Sequence, residues 1–243
     1  MPSYPPEATL SRVNDPSVYL VADTRITAQA RERGVHALTL PEVVAEAVEA
    51  GVRMVQIRAK DATAEEMEAL AREVAAVTDG RAALVLNDAV DVAVRLRAAG
   101  VPVDGVHVGQ SDRSPAEARA LLGPAAHLGL SANQPEHLEA LRRLPRGTVS
   151  AIGVGTVRAT QTKADAPAPK GFDGLRDFLA AAEGLGVQRI AIGGLGPGDP
   201  SRVREAGADG MAVVSAICAA PSPREAAALL RAEWDASAPH PAG

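Results

Sequence analysis

The stretch AALVLNDAVDVAVRLRAAGVPVDGVHVGQSD, Ala82–Asp112, holds a complete strand–helix–strand unit. An apolar run ends in Asn87-Asp88, and an Ala/Val/Leu segment with arginines follows near 89–99. A second apolar run, GVHVG at 105–109, passes into Gln110-Ser111-Asp112. A strand buried on both faces reads as a continuous apolar run, and a helix between two of them is the usual crossover of a parallel sheet.

The same pattern recurs in both directions along the chain. VQIRAK (Val55–Lys60), HLGLS (His127–Ser131), IAIGGL (Ile190–Leu195) and MAVVS (Met211–Ser215) each end in polar or glycine-rich residues. Strands are expected near 18–23, 53–58, 82–87, 105–109, 126–131, 149–153, 188–193 and 210–214. Helices are expected near 40–50, 63–78, 89–99, 114–122, 135–143, 172–184, 200–206 and 223–235. Thr39, Thr63 with Glu66, and Ser114 before Pro115 carry helix-start chemistry. Eight β-then-α units predict a single (β/α)8 TIM barrel, with an open doubly wound sheet as the alternative. The expected limits are a polar tail over 1–16, the barrel domain over 17–236 and a frayed end over 237–243. In a barrel the polar strand ends gather on one rim, where the active site lies.

Composition narrows the function. The chain has 243 residues, 47% of them hydrophobic and only 2% aromatic, which suits a small-residue α/β core and argues against base-stacking surfaces. The net charge of −5 gives no basic footprint for nucleic acid, and no apolar run approaches a membrane span. The start of the chain lacks the pattern of a secretory signal, so a cytoplasmic protein acting on small molecules is expected, with homo-oligomerisation left open. The single cysteine, Cys218, lies in the apolar stretch SAICAA and reads as a core residue. Two longer loops, Thr24–Leu38 and Arg158–Lys170, stand on the expected rim as lids or, for the first, an inert insertion.

Among the strand ends, Gln56, Arg58 and Lys60 alternate and share one face. On the inner face of a barrel this triplet needs a ligand or ion pairs; an outward register with Lys60 solvated is the alternative. Asp88 and Asp112 end adjacent strands, and two carboxylates about 4 Å apart would repel by roughly 4 kcal/mol at an effective dielectric of 20. A shared Mg²⁺ would relieve that repulsion, although Asn87-Asp88 taken alone also suits a helix cap. Gly193-Gly194 and Val214-Ser215 end strands seven and eight, the usual phosphate site of this barrel, unless the glycines merely turn the chain. Neither Gly153-Val-Gly155-Thr-Val-Arg158, with Arg where a third small residue is needed, nor Gly193-Gly194-Leu195-Gly196-Pro197-Gly198 has dinucleotide-binding spacing. Thr160-Gln161-Thr162-Lys163 offers hydroxyls and a cation after strand six, and Ser131 is either a site residue or a helix cap. His107 and His127 read as hydrogen-bonded core histidines.

The stretches YLVAD, VQIRAKDA, LVLNDAVDVA, GVHVGQSD, GLSAN, GVGTVRATQTK, AIGGL and ADGMAVVSAI, in that order, resemble the thiamine-phosphate synthase family from about Tyr19 to Ile217. The resemblance implies a Mg²⁺-dependent transferase that joins hydroxymethylpyrimidine diphosphate to a thiazole phosphate carboxylate, giving thiamine phosphate, diphosphate and CO2. By position it implies that Gln56, Ile57, Arg58, Ala59, Lys60, Asn87, Ser131 and Lys163 bind the pyrimidine substrate. Asp88 and Asp112 would hold the metal, and Thr160, Gln161, Thr162, Gly194, Val214 and Ser215 the thiazole phosphate. Lys60 and Lys163 are the expected catalytic cations. Four features depart from the family pattern: Ala59 replaces a usual Glu, Thr156 and Arg158 replace a Pro and an aromatic, and an insertion lies around Val101–Val103. Two rivals remain: a related thiazole tautomerase, opposed by Asn133 where that family places a histidine, and a non-catalytic phosphate-ligand binder.

Overall fold

A computed structural model describes residues 15–160, 162 and 168–237. Eight parallel strands close into one barrel in chain order: β1 (Val18–Asp23), β2 (Met54–Arg58), β3 (Ala83–Asn87), β4 (Gly105–Val108), β5 (His127–Ser131), β6 (Ala151–Val154), β7 (Gln188–Ile192) and β8 (Gly210–Val213). The last strand pairs back onto the first, Tyr19 opposite Ala212, so no sheet edge remains. The open doubly wound alternative is thereby excluded.

Helices α1 (Thr24–Glu32), α2 (Leu40–Glu49), α3 (Ala64–Thr78), α4 (Val90–Ala98), α5 (Pro115–Leu122) and α6 (Pro135–Arg142) follow the first five strands. Helices α7 (Gly171–Ala181), α8 (Pro200–Glu205), α9 (Ser215–Cys218) and α10 (Pro223–Ala236) follow the last three. The expected caps are made: Thr63 Oγ1 accepts from Glu66 N (3.2 Å) while the Glu66 carboxylate accepts from Thr63 N (2.8 Å), and Thr39 and Ser114 do the same with Glu42 and Glu117.

Strand alternation divides the core into two layers. Tyr19, Val21, Met54, Ala83, Val85, Ala151, Ile190 and Ala212 fill the barrel, while Leu20, Ile57, Leu84, Leu86, Leu128 and Ile152 pack outward. Their partners there include Val43, Val74, Leu96 and Leu179 from the helices. Cys218 is fully buried in the outer layer, and burial pushes its thiol up to about 11.

Two expectations need correction. Thr24–Leu38 is not a loop: α1 occupies Thr24–Glu32. The Asp23 carboxylate accepts from Ile26 N (3.0 Å), and Ile26, Thr27 and Ala30 supply a short buried face that charged neighbours conceal. The four-residue α9 was likewise not anticipated. Of the expected tails, residues 1–14 and 238–243 lie outside the described residues, and Asp15 is tied to Arg231 of α10 (2.6 Å).

Candidate functional site

Every strand runs the same way, so the polar strand ends meet at one mouth. At the end of β2, Gln56, Arg58 and Lys60 share the inner face, and each has a partner. Gln56, 4% exposed, donates to Tyr19 Oη (2.9 Å). Arg58 is paired with the Asp23 carboxylate, and Lys60 Nζ donates to Asp88 Oδ2 (2.7 Å). A cationic stripe inside a barrel is tolerated here because neighbouring strands supply the opposite charge. Ile57 and Ala59 face the other way, into the layer beneath the helices, and present no side chain to the mouth.

Asp88 does not cap the following helix. The N-cap of α4 is Ala89, with no side-chain cap bond, and Asp88 itself takes a left-handed backbone (φ 62°). Its carboxylate instead accepts from Lys60 and from Asn87 Nδ2 (2.5 Å). Asp112 is placed by its own loop, where Gly109 N donates to it (2.7 Å). The two carboxyls lie within hydrogen-bonding reach of each other. Burial first, and then Asp112, raise the Asp88 pKa, against the lowering influence of Lys60. The pair opens on a cavity of about 420 Å³ that Arg95 and Arg113 also line.

Among the described residues, no three His, Cys, Asp or Glu side chains gather into a metal cluster. Two adjacent carboxylates nevertheless suit a hard divalent cation, whose charge offsets their repulsion. Mg²⁺ is commonly held by one or two carboxylates, its other positions being filled by water and substrate phosphate.

On β5, Ser131 does not cap α6 either; Gln134 is the N-cap. Ser131 Oγ lies 3.0 Å from His107 Nε2, and its carbonyl accepts from Gln110 Nε2 (2.5 Å). His107 is therefore hydrogen-bonded as expected, but His127 is not: it is 3% exposed and neither ring nitrogen has a partner among the described residues. Its neutral ring sits on the floor of the barrel.

Across the mouth, Gly193 (φ 106°) and Gly194 (φ 64°) make the turn that leaves β7. A Cβ on Gly194 would stand 2.8 Å from both Ala159 O and Arg158 Cβ, so the loop from β6 lies directly on this turn. Val214 is the N-cap of α9 and Ser215 its first residue. Thr160 Oγ1 accepts from Thr162 N (3.2 Å), and Arg25 of α1 donates to Thr162 O (2.7 Å). Gln161 and Lys163, both expected in the site, lie outside the described residues.

Sequence reasoning missed Tyr19 and Asp23, which partner Gln56 and Arg58. The signal was present: VYLVAD is itself an apolar run closing on a polar residue, like the strands that were read as functional.

Comparison with known proteins agrees with this layout. A family model described as thiamine monophosphate synthase matches residues 18–217. A thiamine-phosphate synthase of Azorhizobium caulinodans is 42% identical over 218 residues, covering 89% of this chain and 94% of that protein. One from Solidesulfovibrio magneticus is 44% identical over the same shares of the two chains. Among solved structures, a thiamine phosphate pyrophosphorylase from Pyrococcus furiosus superimposes with a TM-score of 0.73 at 27% identity, covering 93% of this chain and 98% of that one. Barrel closure, the order of the polar strand ends and these relatives converge on one conclusion: the chain belongs to the thiamine monophosphate synthase family.

Proposed function

We propose that this barrel condenses hydroxymethylpyrimidine diphosphate with a thiazole phosphate carboxylate, yielding thiamine phosphate, diphosphate and CO2. The observation that carries the reading is the meeting of Lys60, Asp88 and Asp112 at the mouth, beside the Gln56–Arg58 stripe. Asp88 and Asp112 would hold Mg²⁺, which when bound supplies positive charge for a departing diphosphate.

The residues then divide the work. Gln56, Arg58, Asn87 and Ser131 hold the pyrimidine, and Lys60 and Lys163 carry the charge that stabilises the leaving group. Thr160, Gln161, Thr162, Gly194, Val214 and Ser215 seat the thiazole phosphate, so the thiazole nitrogen faces the pyrimidine methylene. As the carbon–oxygen bond to diphosphate breaks, the pyrimidine ring stabilises a carbocation that the thiazole nitrogen captures; the thiazole carboxylate then leaves as CO2, and the ring carbon it leaves takes a proton from water. Orientation and electrostatics suffice for such a step, which needs no protein nucleophile. The tautomerase alternative is weakened at Asn133, whose Oδ1 accepts from Gly155 N (3.2 Å) as a loop anchor.

The test is direct. Purified protein, Mg²⁺ and both substrates should give thiamine phosphate and diphosphate in equal amounts, with none when either substrate is left out. Isomerised thiazole without condensation would move the assignment to a tautomerase, and no turnover at all would leave a ligand binder.

A further inference from the structure

We propose that Arg158 and Asp199 form a clasp that seats the loop leaving β6 on the Gly193–Gly194 turn leaving β7, and that this clasp sets the affinity of the mouth for the thiazole phosphate. The inference rests on the reading of that turn as the phosphate seat. It explains Arg158, one of the positions where the chain departs from its family's pattern, by a partner far away in sequence.

The contact is bidentate. Arg158 Nη1 donates to Asp199 Oδ2 (2.7 Å), and Nη2 lies 2.6 Å from Oδ1. The Asp199 side chain is only 2% exposed, and its carboxylate also accepts from Gly196 N (3.0 Å). A carboxylate at that depth requires a cation, and Arg158 is its partner. The guanidinium reaches it across the Phe172 ring, 5.2 Å from the centroid.

The main chain makes the same junction. Val157 N donates to Ile192 O (3.1 Å) and Arg158 N to Gly193 O (2.9 Å), so the β6 loop continues the sheet alongside β7. Gly194 presses on Arg158 Cβ and Ala159 O with no room for a methyl group. Asp199 is anchored on the far side of the turn, where its carbonyl accepts from Val203 N in α8 (2.9 Å). The ion pair therefore spans the glycine turn and fixes its distance from Thr160, two residues beyond Arg158. Neither residue need touch substrate; both are positioning residues.

Arg158→Gln, Asp199→Asn and the double variant test this, with Arg158→Lys as a milder change that keeps the charge. Each of the first two should raise KM for thiazole phosphate roughly tenfold, with KM for the pyrimidine diphosphate within about twofold of wild type. The double variant should be no worse than the worse single, and Arg158→Lys should fall between wild type and Arg158→Gln. Hydrogen exchange should quicken at the Val157 and Arg158 amides. Equal rises in both KM values, additive effects or unchanged exchange at those amides would each overturn the clasp. If wild type makes no thiamine phosphate, the functional reading fails by itself. Inorganic phosphate affinity then replaces KM: roughly tenfold weakening in the variants supports the clasp, and unchanged affinity overturns it.

Discussion

His107 and His127 enter the same barrel from neighbouring strands, with His107 opposite Gly129 and His127 opposite Gly105. Their surroundings could hardly differ more. His107 sits near the mouth, its Nε2 on Ser131 Oγ, over a floor of glycines: a Cβ on Gly129 would come within 2.4 Å of its Nδ1, and one on Gly153 within 3.2 Å of Cε1. His127 lies deeper, with no hydrogen bond to either nitrogen among the described residues, and its pKa is driven down to about 3 by burial and then by the His107 and Arg119 charges. Depth along the strand, not residue type, decides the role. Polar groups at the mouth hold one another through contacts that a ligand can exchange, as Lys60 holds Asp88. A polar group on the floor serves as neutral packing.

The largest expected effect tests the mouth. Asp112→Ala should lower Mg²⁺-dependent kcat/KM by about a thousandfold, the scale of losing a key electrostatic group in a reaction with a charged leaving group. The fold should not suffer. Asp112 is exposed, and its removal takes a like charge from beside Asp88, easing the lesser of the two causes, after burial, that raise that carboxyl's pKa and leaving its bond to Lys60 intact. Thermal unfolding beside a Mg²⁺ titration of activity checks both halves. A midpoint that falls with the activity would mean that the mouth is structural, and the contrast with the floor would collapse.

Between mouth and floor, one residue serves both. Gly129→Ala places a methyl group on the His107 ring, which as a stiff side chain must leave Ser131 to make room. Stability should drop by about 2 kcal/mol, in the range of overpacked cores, and activity should fall about tenfold as Ser131 loses its partner. Adding His107→Ala to Gly129→Ala should restore stability but not activity. If stability stays low in the double variant, the clash is with the backbone and His107 is not what the glycine accommodates.

Much of this was legible in the chain before any fold was known, for identifiable reasons. The eight strands are near-continuous Val/Ile/Leu/Ala runs, a pattern set by burial on both faces, so their limits fall within a residue or two of those observed. β1 matches Val18–Asp23 at both ends. The proximity of Asp88 to Asp112 follows from parallel closure, since successive strand ends must be neighbours. What stayed hidden depends on partners distant in sequence. Asp23 caps α1 and pairs with Arg58, yet nothing within TRITAQARE announces a helix, because its buried face is only Ile26, Thr27 and Ala30. The Asp199 partner of Arg158 is invisible until two loops fold together. His127 was misjudged because sequence gives the depth of a residue but not whether its nitrogens find a bond.

That last point gives the smallest and sharpest prediction. The unfolded chain protonates His127 near its ordinary pKa of 6.5, whereas the folded chain does so only at about 3. A depressed imidazole pKa means that the unfolded state gains protons first as pH falls, so folding stability declines from about 6.5 downward, the full loss being reached below about 3. At pH 5 this single group should remove about 2 kcal/mol relative to pH 7.5, from 1.36 kcal/mol per unit. His127→Leu lacks the proton site and leaves no orphaned nitrogen, so it should match wild type within about 1 kcal/mol at pH 7.5 and exceed it by roughly 2 kcal/mol more at pH 5. Denaturant unfolding at the two pH values measures the difference, and activity at pH 7.5 should be retained. Parallel pH slopes for the two proteins would show that the floor accepts a charged imidazole after all, and the division of the barrel interior by depth would have to be abandoned.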